Sequence, residues 1–336
     1  LTARRRQGRI MKALVCREHG GPEKLDLVSD WPEPALGDDD VLIDVKAAGL
    51  NFPDVLIIQG KYQIQPELPF IPGGECSGVV SAVGTKVSRF AVGDSVISMA
   101  GVGAFCGRIA ADEKAVFRKP EALSHIQAAG VSVTYFTSYH ALKQRARLQP
   151  GETLLVLGAA GGVGVTAVEL GKHMGARVIA AASSEEKLAL CRKLGADEVI
   201  NYSEVDLKDS IKQLTGGKGV DVVYDPVGGD FSEPAIRGMA WKGRYLVIGF
   251  ASGPIPSIPL NLMLLKGCSV MGVFWGRFTS EEPEENLRNI EELWAMFESG
   301  ELKPVVTDIY SIEDYRKAYD CIMQRRALGK VVLTME

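Results

Sequence analysis

Residues 154–164 read LLVLGAAGGVG, and this stretch decides how the second half of the chain folds. Four large apolar residues in a row predict a buried strand, and the apolar spacing over residues 163–174 predicts a helix after it. Between them, Gly161 and Gly164 occupy the second and third glycine positions of a GxGxxG turn, with Ala159 in the first. The glycines of such a turn allow the backbone to approach a pyrophosphate and the helix to pack against the sheet.

A glycine-rich turn between a strand and a helix predicts a dinucleotide site, because the first turn of the helix offers unpaired N–H groups to an anion. We assign the phosphate contacts to residues Ala160, Gly161, Gly162 and Val163. A tight turn that binds nothing is the alternative. No GxxxxGK[ST] pattern occurs in the sequence, so a nucleoside triphosphate site is not indicated.

The residues after the second strand of this region favour NADP over NAD. NAD sites typically place a carboxylate there, about 20 residues beyond the glycines. This chain has Ser183 and Ser184, with Lys187 one turn later, and these donors suit a 2′-phosphate. Alternatively, Ser183 and Glu186 have the spacing of a capping box and only begin a helix. Tyr202, at the end of the third apolar run, is either a contact on the adenine side or a core tyrosine.

Two kinds of pattern divide the chain. From residue 151 onward, apolar runs alternate with helical segments, which predicts a parallel sheet covered on both faces, a doubly wound α/β domain. From residue 11 to about residue 119, short β-branched runs separated by glycine turns predict an irregular β domain. A charged helix near residues 283–299 and a strand at residues 330–334 complete the pattern.

The composition is that of a globular protein, with 46% hydrophobic residues, 24% charged residues and a net charge of −4. The negative charge argues against a nucleic-acid partner. The six cysteines contain no CxxC unit, which favours reduced thiols in the cytosol over a zinc site or a disulfide framework. The long uncharged stretches contain polar residues or prolines, so we expect no membrane-spanning helix.

Residues 1–10, LTARRRQGRI, contain four arginines and no acidic residue. We interpret them as an extension or tag remnant before Met11 and leave them out of the fold. The alternative is the remnant of a mitochondrial transit peptide, for which an arginine-rich, acid-poor composition is typical. We expect a cytoplasmic protein, or a mitochondrial one if this alternative holds.

Six motifs occur in order along the chain: NFPD (51–54), GKY (60–62), PGGECSG (72–78), VGD (92–94), AAGGVG (159–164) and DVVYDPVGG (221–229). Together they resemble the zinc-free quinone oxidoreductase (zeta-crystallin-like) branch of the medium-chain dehydrogenase/reductase superfamily. The resemblance implies a GroES-like substrate domain in residues 11–133 together with 277–336, and a Rossmann domain in residues 134–276. It also implies a homodimer that forms through Rossmann edge strands, here residues 269–274.

The same resemblance implies the remaining site residues. Zinc-dependent relatives have a Cys at the position of Asn51 and a His at that of Gly74, so we expect no metal. Asn51 would orient the substrate or the nicotinamide ribose, and Tyr62 would donate a proton, as a tyrosine does in related enoyl thioester reductases. The alternatives are a turn asparagine and a packing tyrosine, and Asp54 is interpreted as structural. Contacts to the nicotinamide half would come from Thr137, Phe250, Val273, Phe274 and Lys330.

Some of these contacts have alternatives. The Thr137 hydroxyl would instead bond back to its own helix, Phe274 would be a dimer or core aromatic, and Lys330 would be solvated. The resemblance and the absent zinc ligands lead us to expect a reductase that passes hydride from NADPH to a quinone or another α,β-unsaturated carbonyl. Such an acceptor spreads charge into a phenolate or enolate, which hydrogen-bond donors stabilise without a metal. The alternatives are an enoyl thioester reductase and a non-catalytic NADPH-binding protein of crystallin-like or RNA-associated role.

Overall fold

A computed structural model describes residues 9–335 of the chain. The chain divides into two units: the first is Leu1–Val133 together with Val306–Glu336, and the second is Thr134–Val305. Residues 1–8, most of the predicted extension, lie outside the described residues. Ile10 does not: it begins the first strand and pairs with Pro32, so the fold starts one residue before Met11.

The N-terminal part of the first unit consists of short strands joined by glycine-containing turns. Its elements are β1 (Ile10–Cys16), β2 (Leu25–Pro32), β3 (Asp40–Leu50), α1 (Phe52–Ile58), β4 (Glu75–Val83), β5 (Ser95–Ser98), β6 (Arg108–Asp112), β7 (Val116–Arg118) and α2 (His125–Ala128). Helix α1 begins directly after β3, and Asn51 is the residue between them.

The second unit alternates strands and helices as the sequence predicts. Its elements are α3 (Ser132–His140, continued by a π-helical turn at Ala141–Arg145), β8 (Thr153–Leu157), α4 (Gly162–His173), β9 (Arg177–Ala182), α5 (Glu185–Lys193), β10 (Glu198–Asn201), α6 (Leu207–Leu214), β11 (Val220–Asp225), α7 (Ser232–Arg237), β12 (Met239–Val247), α8 (Asn261–Lys266), β13 (Ser269–Gly272), α9 (Trp275–Glu281) and α10 (Pro283–Glu298). The six strands are parallel, in the order β10-β9-β8-β11-β12-β13. This confirms the doubly wound sheet, whose strand order reverses at β8, where ligands of such folds bind.

The C-terminal segment completes the first unit with β14 (Val306–Ser311), α11 (Tyr315–Met323) and β15 (Lys330–Thr334). The larger sheet of this unit has the order β14-β15-β3-β4-β5-β7, and β6 also pairs with β3. Strand β15 runs antiparallel to β3, with Val331 opposite Leu50. Lys330 therefore lies beside the end of β3, where Asn51 follows.

The boundary after residue 133 agrees with the prediction, but residues 277–305 belong to the second unit rather than the first. The reason is the apolar face of α10, which packs against α3. The rings of Tyr135 and Phe297 meet edge to face with centroids 5.0 Å apart, and the Tyr139 hydroxyl donates to the Glu292 carboxylate over 2.5 Å. The charge pattern of α10 predicted a helix but did not indicate which unit it joins.

Each unit buries its own apolar core, so neither needs a metal or a disulfide to hold it together. In the first unit Leu14, Ile43 and Phe105 are fully buried, and in the second the interior of β8 is, including Leu155 and Leu157. Within residues 9–335, no helix combines the length and the apolar character that a membrane span requires.

Candidate functional site

The turn after β8 brings the predicted phosphate contacts to the carboxyl edge of the second unit's sheet. Gly158 has a φ of +57°, and its carbonyl oxygen accepts a hydrogen bond from the Gly161 N–H over 3.0 Å. The left-handed residue of this turn is thus Gly158 and not Ala159, which explains why alanine is tolerated in the first motif position. Ala160 is buried, whereas Gly161, Gly162 and Val163 are half-exposed.

The N-terminus of α4 suits an anion. This helix has no side-chain cap and no acidic residue in its first turn, so its first N–H groups lack partners within the helix. A Cβ atom at Gly164 would lie 2.2 Å from the Gly158 carbonyl oxygen, so packing alone requires glycine there. A Cβ atom at Gly161 would meet only that oxygen, at 3.4 Å, and Gly161 has an ordinary φ of −80°. The polypeptide therefore does not itself require glycine at 161, whereas a phosphate lying against the backbone would.

Ser183 and Lys187 lie together after β9. Lys187 Nζ donates to Ser183 Oγ over 3.0 Å, and Ser184 Oγ caps α5 by accepting from the Lys187 N–H over 3.4 Å. The residue that caps the helix is therefore Ser184, and Ser183 and Glu186, three residues apart, do not form its capping box. The adjacent Glu185 forms an ion pair with Arg192, which reduces its repulsion of an anion. A hydroxyl and an ammonium group in contact form a set of donors suited to a phosphate.

Four further predicted contacts follow β10, β12 and β13 and so share the carboxyl edge of the sheet with the glycine turn. Tyr202 is half-buried, with its ring centroid 4.3 Å from that of Phe231, so it is only partly a core residue. Phe250 is half-buried, and the Val273 N–H donates to the Val247 carbonyl oxygen over 3.0 Å. Phe274 is 51% exposed and is therefore not a core aromatic.

Thr137 lies on α3 and is half-exposed between the buried Phe136 and Ser138. Ser138 Oγ lies 2.7 Å from the Tyr224 hydroxyl and 2.8 Å from Thr166 Oγ1, and it donates to the Val163 carbonyl oxygen over 3.1 Å. This hydroxyl cluster connects α3, β11 and the first turn of α4. It places Thr137 next to the helix whose N-terminus we predict to hold the pyrophosphate.

In the first unit, Asn51 belongs to a buried polar cluster with Glu75 and Lys330. Asn51 Nδ2 donates to Glu75 Oε1 over 2.8 Å, and Lys330 Nζ donates to Asn51 Oδ1. Lys330 Nζ also lies 2.8 Å from Glu75 Oε1 and donates to the Leu50 carbonyl oxygen over 3.1 Å. All three of its ammonium donors are thus used within the protein, and the residue is 4% exposed.

This placement shows that Lys330 is not a solvated lysine. Its contact with the cofactor stays a prediction, which its engaged donors do not favour. Glu75 is fully buried, and its second oxygen accepts from the Val133 N–H over 3.0 Å. Glu75 was not among the predicted site residues, although a carboxylate at the start of an otherwise small and apolar strand signals a buried partner.

Asp54 has the structural role that the sequence indicates. It is buried in the first turn of α1, and its carboxylate accepts from the Asn51 N–H over 2.8 Å. Burial raises the pKa of Asp54 to about 7, against the lowering effect of its backbone hydrogen bonds and of Lys330. Tyr62 lies half-buried on the loop after α1, and burial, assisted by the charge of Asp54, raises the pKa of its phenol. Tyr62 therefore keeps its proton at neutral pH.

Asn51 and Gly74 occupy the two positions that we compared with the zinc ligands of zinc-dependent relatives, and they do not fit a metal. The Asn51 amide is engaged by Glu75 and Lys330, and Gly74 has no side chain. Among residues 9–335, no group of three or more His, Cys, Asp or Glu side chains is arranged to hold a metal ion.

Comparisons with known proteins agree with this architecture. Residues 37–145 match the alcohol dehydrogenase GroES-like domain, and residues 162–292 match the zinc-binding dehydrogenase domain. Quinone oxidoreductase-like protein 2 of Rattus norvegicus is 39% identical over 331 residues, which cover 98% of this chain and 94% of that protein. Human quinone oxidoreductase is 34% identical over 329 residues, covering 97% of this chain and 98% of that protein.

Solved structures give the same result. The quinone oxidoreductase of Pseudomonas syringae has a TM-score of 0.90 at 34% identity, covering 97% of this chain and all of that chain. The Escherichia coli quinone oxidoreductase complexed with NADPH has a TM-score of 0.90 at 31% identity, covering 96% of this chain and 99% of that chain. The fold and the glycine turn thus define an oxidoreductase of the medium-chain dehydrogenase/reductase superfamily. Within that superfamily, the chain belongs to the quinone oxidoreductase-like branch.

Proposed function

We propose that this protein is a zinc-independent, NADPH-dependent reductase of quinones or related α,β-unsaturated carbonyls. The main support for a nicotinamide cofactor is the space around Gly161. The folded chain leaves room for a side chain there, so the glycine serves a ligand that approaches the backbone. The uncapped N-terminus of α4 beside it favours the negative charge of a pyrophosphate. The NADPH complex of the Escherichia coli relative supports the same cofactor.

The preference for NADPH over NADH rests on Ser183 and Lys187. An ammonium group and a hydroxyl in contact would each donate to a 2′-phosphate, and the charge of the neighbouring Glu185 is offset by its ion pair with Arg192. A carboxylate that would bind the free 2′-hydroxyl of NADH does not follow β9, because the next two residues are serines.

The reduction requires donors that stabilise negative charge on the acceptor. When bound, the reduced nicotinamide supplies the hydride. As the conjugated acceptor gains it, the electron pair moves to the carbonyl oxygen, where the Asn51 amide N–H would donate a hydrogen bond. Tyr62, whose phenol stays protonated because burial raises its pKa, would then deliver a proton to the enolate or phenolate.

The proposal is tested with purified protein, NADPH and a panel of acceptors: a quinone, an enone, crotonyl-CoA and a simple ketone. We expect NADPH binding to raise the melting temperature and NADPH to be oxidised with the quinone and the enone but not with the ketone. Turnover that is restricted to crotonyl-CoA would instead identify an enoyl thioester reductase. NADPH binding without turnover of any acceptor would identify a non-catalytic NADPH-binding protein, and salt-sensitive binding of RNA would give that protein a partner.

We also propose that two copies pair through β13. Within the described residues, no strand pairs with the outer edge of β13. Exposed apolar side chains occur in β13 itself and in α8 and the residues before it: Val270, Leu264, Leu265, Leu260 and Ile255. Such a patch on a free sheet edge is typical of an interface. Leu264→Glu should convert a dimer to a monomer in size-exclusion chromatography with light scattering, and a monomeric wild type would refute the pairing.

A further inference from the structure

Glu75 and Lys330 have no part in the function proposed above, yet both hold the Asn51 amide. We propose that this buried ion pair is a positioning device that fixes the orientation of the amide, so that Asn51 presents an N–H donor to the carbonyl oxygen of the acceptor. Lys330 and Glu75 thus act through Asn51 and touch neither substrate nor cofactor. The inference deepens the proposed function and rests on it.

The two charges determine which way the amide is turned. Asn51 Oδ1 accepts from the ammonium group of Lys330, and Asn51 Nδ2 donates to Glu75 Oε1 over 2.8 Å. With the amide turned over, its NH₂ group would face the ammonium and its oxygen would face the carboxylate. A lysine offers only donors and an ionised glutamate only acceptors, so both contacts would become repulsive. A single orientation of Asn51 is therefore stable.

This orientation leaves one N–H group of Asn51 only weakly bonded within the protein. Of the two hydrogens on Nδ2, one is directed to Glu75 over 2.8 Å, and the other is left with the Gly49 carbonyl oxygen at 3.5 Å, a long and weak hydrogen bond that a charged acceptor would displace. The positive charge on the oxygen side polarises the amide and strengthens its N–H as a donor. A substrate carbonyl that develops negative charge is the acceptor such a donor stabilises most.

The packing around the Lys330–Glu75 pair indicates a role other than stabilising the fold. Glu75 is fully buried, and a Cβ atom at Gly130 would lie 2.7 Å from Lys330 Cγ. A Cβ atom at Gly49 would lie 2.6 Å from Glu75 Oε1. Buried ion pairs are poor stabilisers, and apolar residues of similar volume often replace them without loss. Two glycines leave the space that this charged pair occupies. Orientation of the Asn51 amide explains the pair better than a contribution to stability does.

The test compares two variants, each of which neutralises one ion pair. Lys330→Met/Glu75→Gln removes the proposed device. The control, Arg244→Met/Glu152→Gln, removes a pair in the second unit with an N···O distance of 2.5 Å whose glutamate also accepts a backbone N–H, that of Gln149. Both are made in the wild type and in Asn51→Ala. We measure melting temperature, NADPH affinity, kcat and KM with a quinone, and solvent exchange of the Asn51 side-chain amide, whose NMR signal is identified by its loss in Asn51→Ala.

Neutralising the Lys330–Glu75 pair should lower kcat at least about 10-fold, as expected when a preorganised donor is lost, with NADPH affinity unchanged. In the Asn51→Ala background the same change should have no further effect on kcat. In the background of the wild type, Lys330→Arg should retain most of the kcat. The control pair should lower the melting temperature but not kcat. Equal losses of kcat with and without Asn51, or no loss, would overturn the positioning role.

The amide exchange measurement separates this inference from the proposed function, since it needs neither cofactor nor acceptor. In the wild type the Asn51 side-chain amide should exchange slowly, and neutralising the pair should accelerate exchange. Equal exchange rates would refute the positioning role even if the protein is a quinone reductase. If the double variant does not fold, Glu75→Gln alone is measured against the same outcomes. If the Asn51 amide exchanges slowly but the protein has no reductase activity, the proposed function is refuted, and so is the role of Asn51 as a donor to the acceptor. The conclusion that the ion pair fixes the orientation of the amide would still hold.

Discussion

Replacing Gly161 with alanine separates the requirements of the fold from those of the ligand. The new methyl group would meet only the Gly158 carbonyl oxygen, at 3.4 Å, and the φ of −80° suits alanine. Alanine loses less backbone entropy on folding, which stabilises by about 0.4–1 kcal/mol, but it is a poorer N-cap than glycine by about the same amount. The two effects oppose each other, so the free energy of unfolding should change by less than about 1 kcal/mol.

The effect on cofactor binding should be much larger. The methyl group would occupy the space through which a pyrophosphate approaches the backbone, and it would break one charge-assisted hydrogen bond, worth about 1.5–3 kcal/mol. We therefore expect the Kd for NADPH to rise about 10- to 100-fold. Isothermal titration gives the Kd, and urea denaturation without cofactor gives the stability.

Two further variants control this experiment. Gly164→Ala places its methyl group 2.2 Å from the Gly158 carbonyl oxygen and should lower both stability and affinity. Gly107→Ala, whose methyl group would have its nearest neighbour at 3.7 Å, should change neither. NADPH affinity in Gly161→Ala within twofold of the wild type would refute the argument that this glycine serves a phosphate.

Three other predictions concern single side chains. Lys187→Met should weaken NADPH binding about 10-fold by removing a charge-assisted bond to the 2′-phosphate, and should leave NADH binding unchanged; equal losses for both in fluorescence titrations would contradict the assignment. Tyr62→Phe should lower kcat about 100-fold by removing a general acid, with the Kd for NADPH unchanged, and an unaltered kcat in stopped-flow assays would exclude Tyr62 as the proton donor. Because burial raises the pKa of Asp54 from 3.8 to about 7, the stability contributed by its bound proton is complete below about pH 4 and is lost as the pH rises through 7. Between about pH 5 and pH 8, the free energy of unfolding of the wild type should therefore fall about 2–3 kcal/mol more than that of Asp54→Asn, and parallel curves would disprove this.

Features set by neighbouring residues were predictable from the sequence. The run of apolar residues before Gly158 predicted β8, the spacing after it predicted α4, and both have nearly the predicted bounds. The residue that caps the helix after β9 was not predictable, because Ser183 and Ser184 both have good capping chemistry and only the backbone selects Ser184.

Features that depend on distant residues were not predictable. From its neighbours alone Lys330 is an ordinary lysine at the start of a strand, and its burial depends on Asn51, which lies 279 residues earlier in the chain. The pattern of residues 283–299 predicted a charged helix, and the unit to which that helix belongs is set by its contacts with Tyr135 and Tyr139. Glu75 is the clearest omission: its place in a small and apolar strand signalled a buried partner, but only the folded chain shows that the partners are Asn51 and Lys330.

The sheet of the first unit is complete only when β15 pairs with β3, and this has a consequence for how the protein is made. During synthesis, Glu75 and Asn51 emerge long before Lys330, so the carboxylate has no counter-ion while the ribosome completes the whole second unit. A buried unpaired charge is strongly disfavoured, which should hold this part of the sheet open until the last strand arrives. The second unit is continuous in sequence and can form first, so the nascent chain should mature from its middle outward.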